Sequence, residues 1–190
     1  MHVIFRRALP CVLLAAMPAC STDSDIGKAP LVCPAVGVLS DASSMRVFGE
    51  GAGRDQANTA YELEFMRAQL MECALDKNRM TAALRFEARA KTGPAVPSNS
   101  YEYTYFVALL DPDGEVISKD VRNASVEFKS GKTEAFFAVE YDDVEFDVPE
   151  GRDGLGYEIL IGFQLTREQI ELNRAKQAAP ASSPDLIMQK

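Results

Sequence analysis

The chain reads as a mainly β protein, an antiparallel β-sandwich finished by one short C-terminal helix. Three observations predict this. Segments in which apolar and polar residues alternate recur between Thr59 and Leu165, each with one wet face. Turn chemistry separates them at the roughly 8–12-residue spacing of small sandwiches: Gly93-Pro94, Asp111-Pro112-Asp113-Gly114, Ser130-Gly131-Lys132 and the loop Gly151–Gly156. Strand–helix–strand spacing is missing, which removes the parallel α/β classes.

The elements follow in order. Leu31–Leu39 predicts a first strand, at an edge or ending near Pro34, because proline offers no N–H to a ladder. Asp41–Asn58 is rich in Gly and Ser and reads as a locally packed loop pinned by Val47 and Phe48, with Gly49, Gly51 and Gly53 suited to sharp turns. Thr59–Arg67 sets Tyr61, Leu63 and Phe65 against Glu62, Glu64 and Met66. Tyr61–Leu75 can also be drawn on a helical wheel, but the β-pattern around it favours a strand. Thr81–Lys91 opposes Ala82, Leu84, Phe86, Ala88 and Ala90 to Ala83, Arg85, Glu87, Arg89 and Lys91. Tyr101–Leu110 is aromatic and β-branched, a strand that returns after its turn as Glu115–Lys119. Val121–Lys129, Glu134–Tyr141, Val144–Val148 and Tyr157–Leu165 complete the pattern. Thr166 with Gln169 at the third helical position forms a capping box. Ile170 and Leu172 then supply an apolar contact, and Arg174 and Lys176 complement the helix C-terminus. About seven or eight strands result, immunoglobulin-like in broad architecture, with a closed barrel as the alternative.

Composition narrows the function classes. The 190 residues include 20 Lys+Arg, 28 Asp+Glu, one His, no Trp and four Cys, for a net charge of −8. Met1–Arg7 is a basic head, and Ala8–Ala19 is uncharged, interrupted by Pro10 and Pro18, and too short to span a bilayer of about 30 Å. Residues 1–19 therefore predict a secretory signal. Its removal takes His2, Arg6 and Arg7, so 20 basic residues become 18 and the net charge moves from −8 to −10. No histidine then remains, which excludes His-dependent triads and His-ligated metals. At that charge a nucleic-acid partner is not expected, no cofactor is implied, and no metal site is assigned. Residues 20–30 predict a polar tether, 31–178 the β-sandwich domain, and 179–190 a flexible tail.

The edge at Ala19-Cys20 resembles a bacterial lipoprotein cleavage site, where a thiol after a small residue becomes the lipid-carrying N-terminus. Ser21 resembles the outer-membrane default, since inner-membrane retention places Asp there. The resemblance implies an acylated (palmitate-bearing) Cys20 and a domain held at the outer membrane, facing the periplasm. With Cys11 inside the signal and Cys20 taken by lipid, Cys33 and Cys73 remain, and a periplasmic pair is expected to oxidise. Two reduced core thiols are the alternative.

Several blocks together resemble a family of small alphaproteobacterial cell-envelope lipoproteins: Cys33-Pro34-Ala35-Val36 with Leu39, Phe48 leading into Gly51-Ala52-Gly53-Arg54-Asp55, Phe106-Val107-Ala108, and Gly162-Phe163-Gln164-Leu165-Thr166 with Glu168-Gln169 and Asn173-Arg174. The likeness runs from Cys33 to Arg174. It implies an anchored, exported β-rich domain and supplies no activity to carry over to particular residues.

Three stretches carry enough polar chemistry to weigh as sites. Arg54-Asp55 sits in a glycine-rich loop whose N–H groups suit an anion, but the Lys-Ser/Thr end of a P-loop is missing. Either Arg54 ties the loop to a carbonyl or carboxylate, or it binds a ligand. Glu140, Asp142, Asp143, Glu145, Asp147, Glu150 and Asp153 place seven carboxylates in 14 residues. Alternation with Val144, Phe146 and Val148 explains them as a solvated strand face, with calcium or a basic partner as alternatives. Asp111–Gly114 has the composition a hairpin turn needs, and paired-carboxylate hydrolysis is the weaker reading. The expectation is a non-enzymatic interaction or scaffold module with an envelope protein partner, tethered to the membrane by its lipid. The alternative is binding or processing of a small cell-envelope ligand through the loop around Arg54. A pocket lined by Arg54 and a second polar residue separates the two.

Overall fold

The structure, a computed structural model, describes residues 30–51 and 53–178. The expected signal segment, Cys20, most of the expected tether and the expected tail lie outside the described residues. The elements all belong to the compact unit that begins at Leu31. They are β1 (Ala35–Val38), β2 (Ser44–Phe48), β3 (Thr59–Asp76), β4 (Arg79–Thr92), β5 (Ser100–Leu110), β6 (Val116–Glu127), β7 (Glu134–Asp147), β8 (Glu158–Phe163) and the helix α1 (Arg167–Ala178). Two four-stranded sheets, ordered β1-β8-β5-β6 and β2-β3-β4-β7, make the sandwich.

The core lies between the inner faces. Phe65 of β3 stacks on Phe163 of β8 at 4.1 Å between centroids, Phe86 of β4 meets Tyr105 of β5 edge-on at 5.4 Å, and Tyr103 approaches Phe137 of β7 at 5.7 Å. Phe86, Leu63, Ile159, Ile161 and Phe163 are among the fully buried side chains, and each stabilises the fold by about 1.5–3 kcal/mol.

The expected β-sandwich with one C-terminal helix is what the chain forms, and a single pair in it is parallel, β1 with β8, Ala35 opposite Glu158 through Val38 opposite Ile161. The two strands lie at opposite ends of the domain sequence, so this pairing needs no local crossover. The first strand is shorter than Leu31–Leu39. Cys33 is drawn instead into a disulfide with Cys73 of β3, with Cα atoms 6.2 Å apart, while the Val32 N–H donates to Asp153. The stretch Asp41–Asn58 is not all loop. Ser44–Phe48 pairs with β3, Met45 opposite Leu63, and buries Met45. Segments that read separately are continuous strands broken by bulges: β6 shifts register where Leu109 gives way to Leu110 opposite it, and β7 carries Asp142-Asp143 where β4 has Ala83 alone.

Local chemistry at the C-terminal end follows expectation. The Gln169 N–H donates to Thr166 Oγ1 at 3.3 Å, and the Thr166 N–H donates to Gln169 Oε1 at 2.9 Å, closing the capping box. Leu165 is buried beneath this start. A 3₁₀ turn at Ser40–Ala42 carries the chain from one sheet to the other so close to β8 that a Cβ on Gly162 would lie 2.7 Å from the Ala42 methyl. That approach requires glycine, and it sets the turn on which α1 rests.

Candidate functional site

Strand register builds the floor of the site. On the outer face of the second sheet, Arg46, Glu62 and Lys91 fall in one cross-strand row; Ser44, Glu64 and Arg89 fall in the next. Opposite charges in such rows attract at close range. Arg46 meets Glu62 at 2.7 Å, Arg89 meets Glu64 at 2.6 Å, and Lys91 reaches Glu134 of β7 at 3.5 Å. The Glu62 Oε1 is buried and pairs with Arg46 by charge alone, without an aligned hydrogen bond.

The helix makes the wall. β2 is an edge strand, and its outward carbonyls need partners. The Asn173 amide donates to the carbonyls of Asp41 and Ser44 at 2.9 and 2.7 Å, and the Gln169 amide reaches the Arg46 carbonyl at 3.4 Å. Arg174 pairs with Asp41 at 2.7 Å, and Gln177 donates to the Ser40 carbonyl at 2.9 Å. No residue of α1 is buried, although Ile170 packs against the core. Polar side chains thus hold the helix. Leu172, expected as part of the apolar contact, is 42% exposed and faces the cleft instead.

The glycine-rich loop supplies the third side. Arg54 pairs with Glu168 of α1 at 2.7 Å and lies over the Phe48 ring at 5.6 Å. Loop, sheet and helix together enclose a cleft of about 240 Å³. Five cationic side chains line it, Arg46, Arg54, Arg89, Lys91 and Lys176, against two carboxylates, Glu62 and Glu64. Phe48, Met45 and Leu172 add apolar surface. A cationic hollow on a chain of net charge −8 is a local inversion of the overall field.

No family model, curated protein or solved structure matches the chain.

Of the residues singled out from sequence, Arg54 stands at the cleft, both tied to a carboxylate and lining the hollow. Asp55 does not join it. Its carboxylate accepts from the Asn58 backbone N–H at 3.1 Å and side-chain amide at 3.0 Å, capping the short turn Gln56–Asn58. Cys33 and Cys73 are bonded to each other, away from the cleft lining. Cys20 lies outside the described residues. The acidic run is spread along β7 and beyond. Glu140 pairs with Arg85, Asp143 with Arg122, Glu145 and Asp147 with Arg79, and Asp153 accepts from the N–H groups of Val32 and Leu155. Among the described residues no three Asp, Glu, Cys or His side chains converge on a metal-sized point. Asp111 Oδ1 accepts from the Asp113 and Glu115 N–H groups at 3.0 and 2.9 Å, the duty of a turn residue. Sequence reasoning missed Arg46, which lay in an expected loop, and took Lys176 for a complement of the helix dipole alone. Arg89, Lys91, Glu62 and Glu64 stood out only as wet-face residues, a signal that needed strand register to become a site.

Proposed function

We propose that this chain is a lipid-anchored, periplasm-facing envelope protein that acts without catalysis, binding a small ligand in the cleft between the second sheet and α1. One observation carries the reading: Arg54, the residue the loop composition offered, shares a concave site with four further cations and an apolar lining. Anchoring at Cys20 rests on the likeness of Ala19-Cys20 to a lipoprotein cleavage site. Convergent polar groups around an apolar hollow are the usual makeup of small-molecule sites. A fragment screen by NMR on the exported protein tests it. Fragments should shift signals of Arg54, Arg89 and Leu172 saturably, and a screen that leaves all three unmoved refutes the cleft reading. A Cys20→Ser chain should lose lipid labelling and leave the membrane fraction.

A second reading, a scaffold that meets an envelope protein partner, has its own support. β6 and β7 are edge strands of 12 and 14 residues, long enough to receive an added strand. Photocrosslinkers placed on these edges and in the cleft of the same protein, in intact cells, separate the two readings by which positions capture a protein.

A further inference from the structure

Resting on the cleft reading above, we infer that the cleft selects a small ligand with a single carboxylate on an apolar body, and that this carboxylate takes Arg54 from Glu168. The charge count argues for one negative charge. On the floor, the three cations Arg46, Arg89 and Lys91 already face Glu62, Glu64 and Glu134. The remaining two, Arg54 and Lys176, come from the loop and the helix, and only one carboxylate is paired with them, Glu168 on Arg54. Among the described residues Lys176 forms no ion pair. Glu168 remains on α1 beside Arg54 even when it gives up the pair, so these two cations and one carboxylate keep a net charge of +1, which matches a monoanion and leaves a dianionic phosphate half neutralised.

The exchange at Arg54 follows from exposure. The Arg54 and Glu168 side chains are 52% and 53% exposed, so their pair is screened and weak. A carboxylate in the hollow has Arg54 and Lys176 in its lining to attract it, and the planar guanidinium suits a carboxylate in a forked contact. The apolar body has a place to lie, since Phe48 and Leu172 border the hollow and Leu172 is 42% exposed without a ligand. At about 240 Å³ the hollow falls just under the volume of drug-sized sites, which keeps the ligand small.

The test titrates octanoate, octanol, octylammonium and acetate into the exported protein, disulfide intact, with the side-chain signals of Arg54 and Leu172 as reporters. Octanoate should bind saturably, with octanol and acetate each weaker by about tenfold or more and octylammonium not bound. Lys176→Gln should weaken octanoate by about threefold, whereas Glu168→Gln, which removes the competitor, should tighten it by about threefold. Both positions are solvent-exposed, so both variants keep the fold. Octanol or octylammonium binding as tightly as octanoate, or Glu168→Gln failing to tighten it, overturns the carboxylate assignment while leaving a cleft that binds. Acetate matching octanoate overturns the apolar body. If no probe moves either reporter, the underlying small-ligand reading falls with it.

Discussion

The two open sides of the sandwich are closed by different means. On one side, the edge of β2 is covered by α1, whose Asn173 and Gln169 amides take the carbonyls of Ser44 and Arg46, and Cys33 is bonded to Cys73. On the other, β6 and β7 end their sheets with no covering element among the described residues, and charged side chains occupy the space between them. Asp120 and Arg122 sit opposite Val107 and Tyr105 in register and so point inward. Asp120 accepts from the Tyr141 hydroxyl and from Arg122 Nε, both at 2.7 Å, and Arg122 reaches Asp143 at 2.8 Å while lying over the Tyr141 ring. Inward-pointing charges at an edge deter unspecific pairing, so a partner strand added along β6 or β7 has to accommodate Asp120, Arg122 and Asp143. The two solutions leave different surfaces behind. A helix laid along an edge stands off the sheet and creates a hollow of about 240 Å³, whereas the charged staple leaves a crevice of about 30 Å³. Ligand-sized space therefore arises where the edge was covered and not where it was stapled.

The largest test of this contrast removes the covalent tie. Replacing Cys33 and Cys73 together by serine opens a loop of sequence separation 40, and the chain-entropy estimate puts the loss at about 4 kcal/mol. Urea unfolding of the disulfide-bonded parent and of the double variant measures it. A loss under about 1 kcal/mol would mean that α1 and its hydrogen bonds hold that side unaided.

A pair of smaller substitutions asks how the helix is seated. Leu165→Ala empties a buried position just before α1 and should cost about 3 kcal/mol. Thr166→Ala removes the acceptor for the Gln169 N–H and should cost about 1 kcal/mol. Equal losses in the same urea series would show that the cap, rather than the buried leucine, fixes the helix.

The same contrast explains what could be read from the residues alone. The capping box was legible because both of its partners lie within one turn. The strand β3 was harder, and its bulges are the reason. Register shifts at Met66 and Met71 move the inward series from Tyr61, Leu63 and Phe65 to Ala68 and Leu70, then to Cys73 and Leu75. Those steps of three mimic a helical period, which is why Tyr61–Leu75 also fits a wheel. The two extra methionines are turned out to solvent, 54% and 60% exposed. β2 was hidden between serines before it and glycines after it, and with it went Arg46 and the edge that α1 covers. The cleft itself was not legible, because it depends on which polar residue of β3 stands beside which of β2 and β4, a fact of pairing and not of any one segment.

The smallest expected effect probes the charged staple by pH. Hydrogen bonds from Tyr141, then Arg122, hold the Asp120 carboxyl below the ordinary carboxylate range. Burial, then the bond to Asp120, pushes the Tyr141 phenol up. Since the folded value for Asp120 lies below the unfolded one, the unfolded chain takes up the proton first as acid is added. The contribution of this group is therefore complete above the ordinary carboxylate value near 4 and is lost as pH falls through the lower folded value. The Asp120 side chain is 39% exposed, and solvent screening keeps the effect to about 0.5 kcal/mol. Asp120→Asn should then be less stable than the parent at pH 7 and converge with it in acid. Glu87, also held low by Arg67 on the outer face of β4, titrates alike in both proteins and cancels from the difference. A gap that persists unchanged to about pH 2 would mean that the carboxylate's charge plays no part, and that shape alone closes the side opposite the helix.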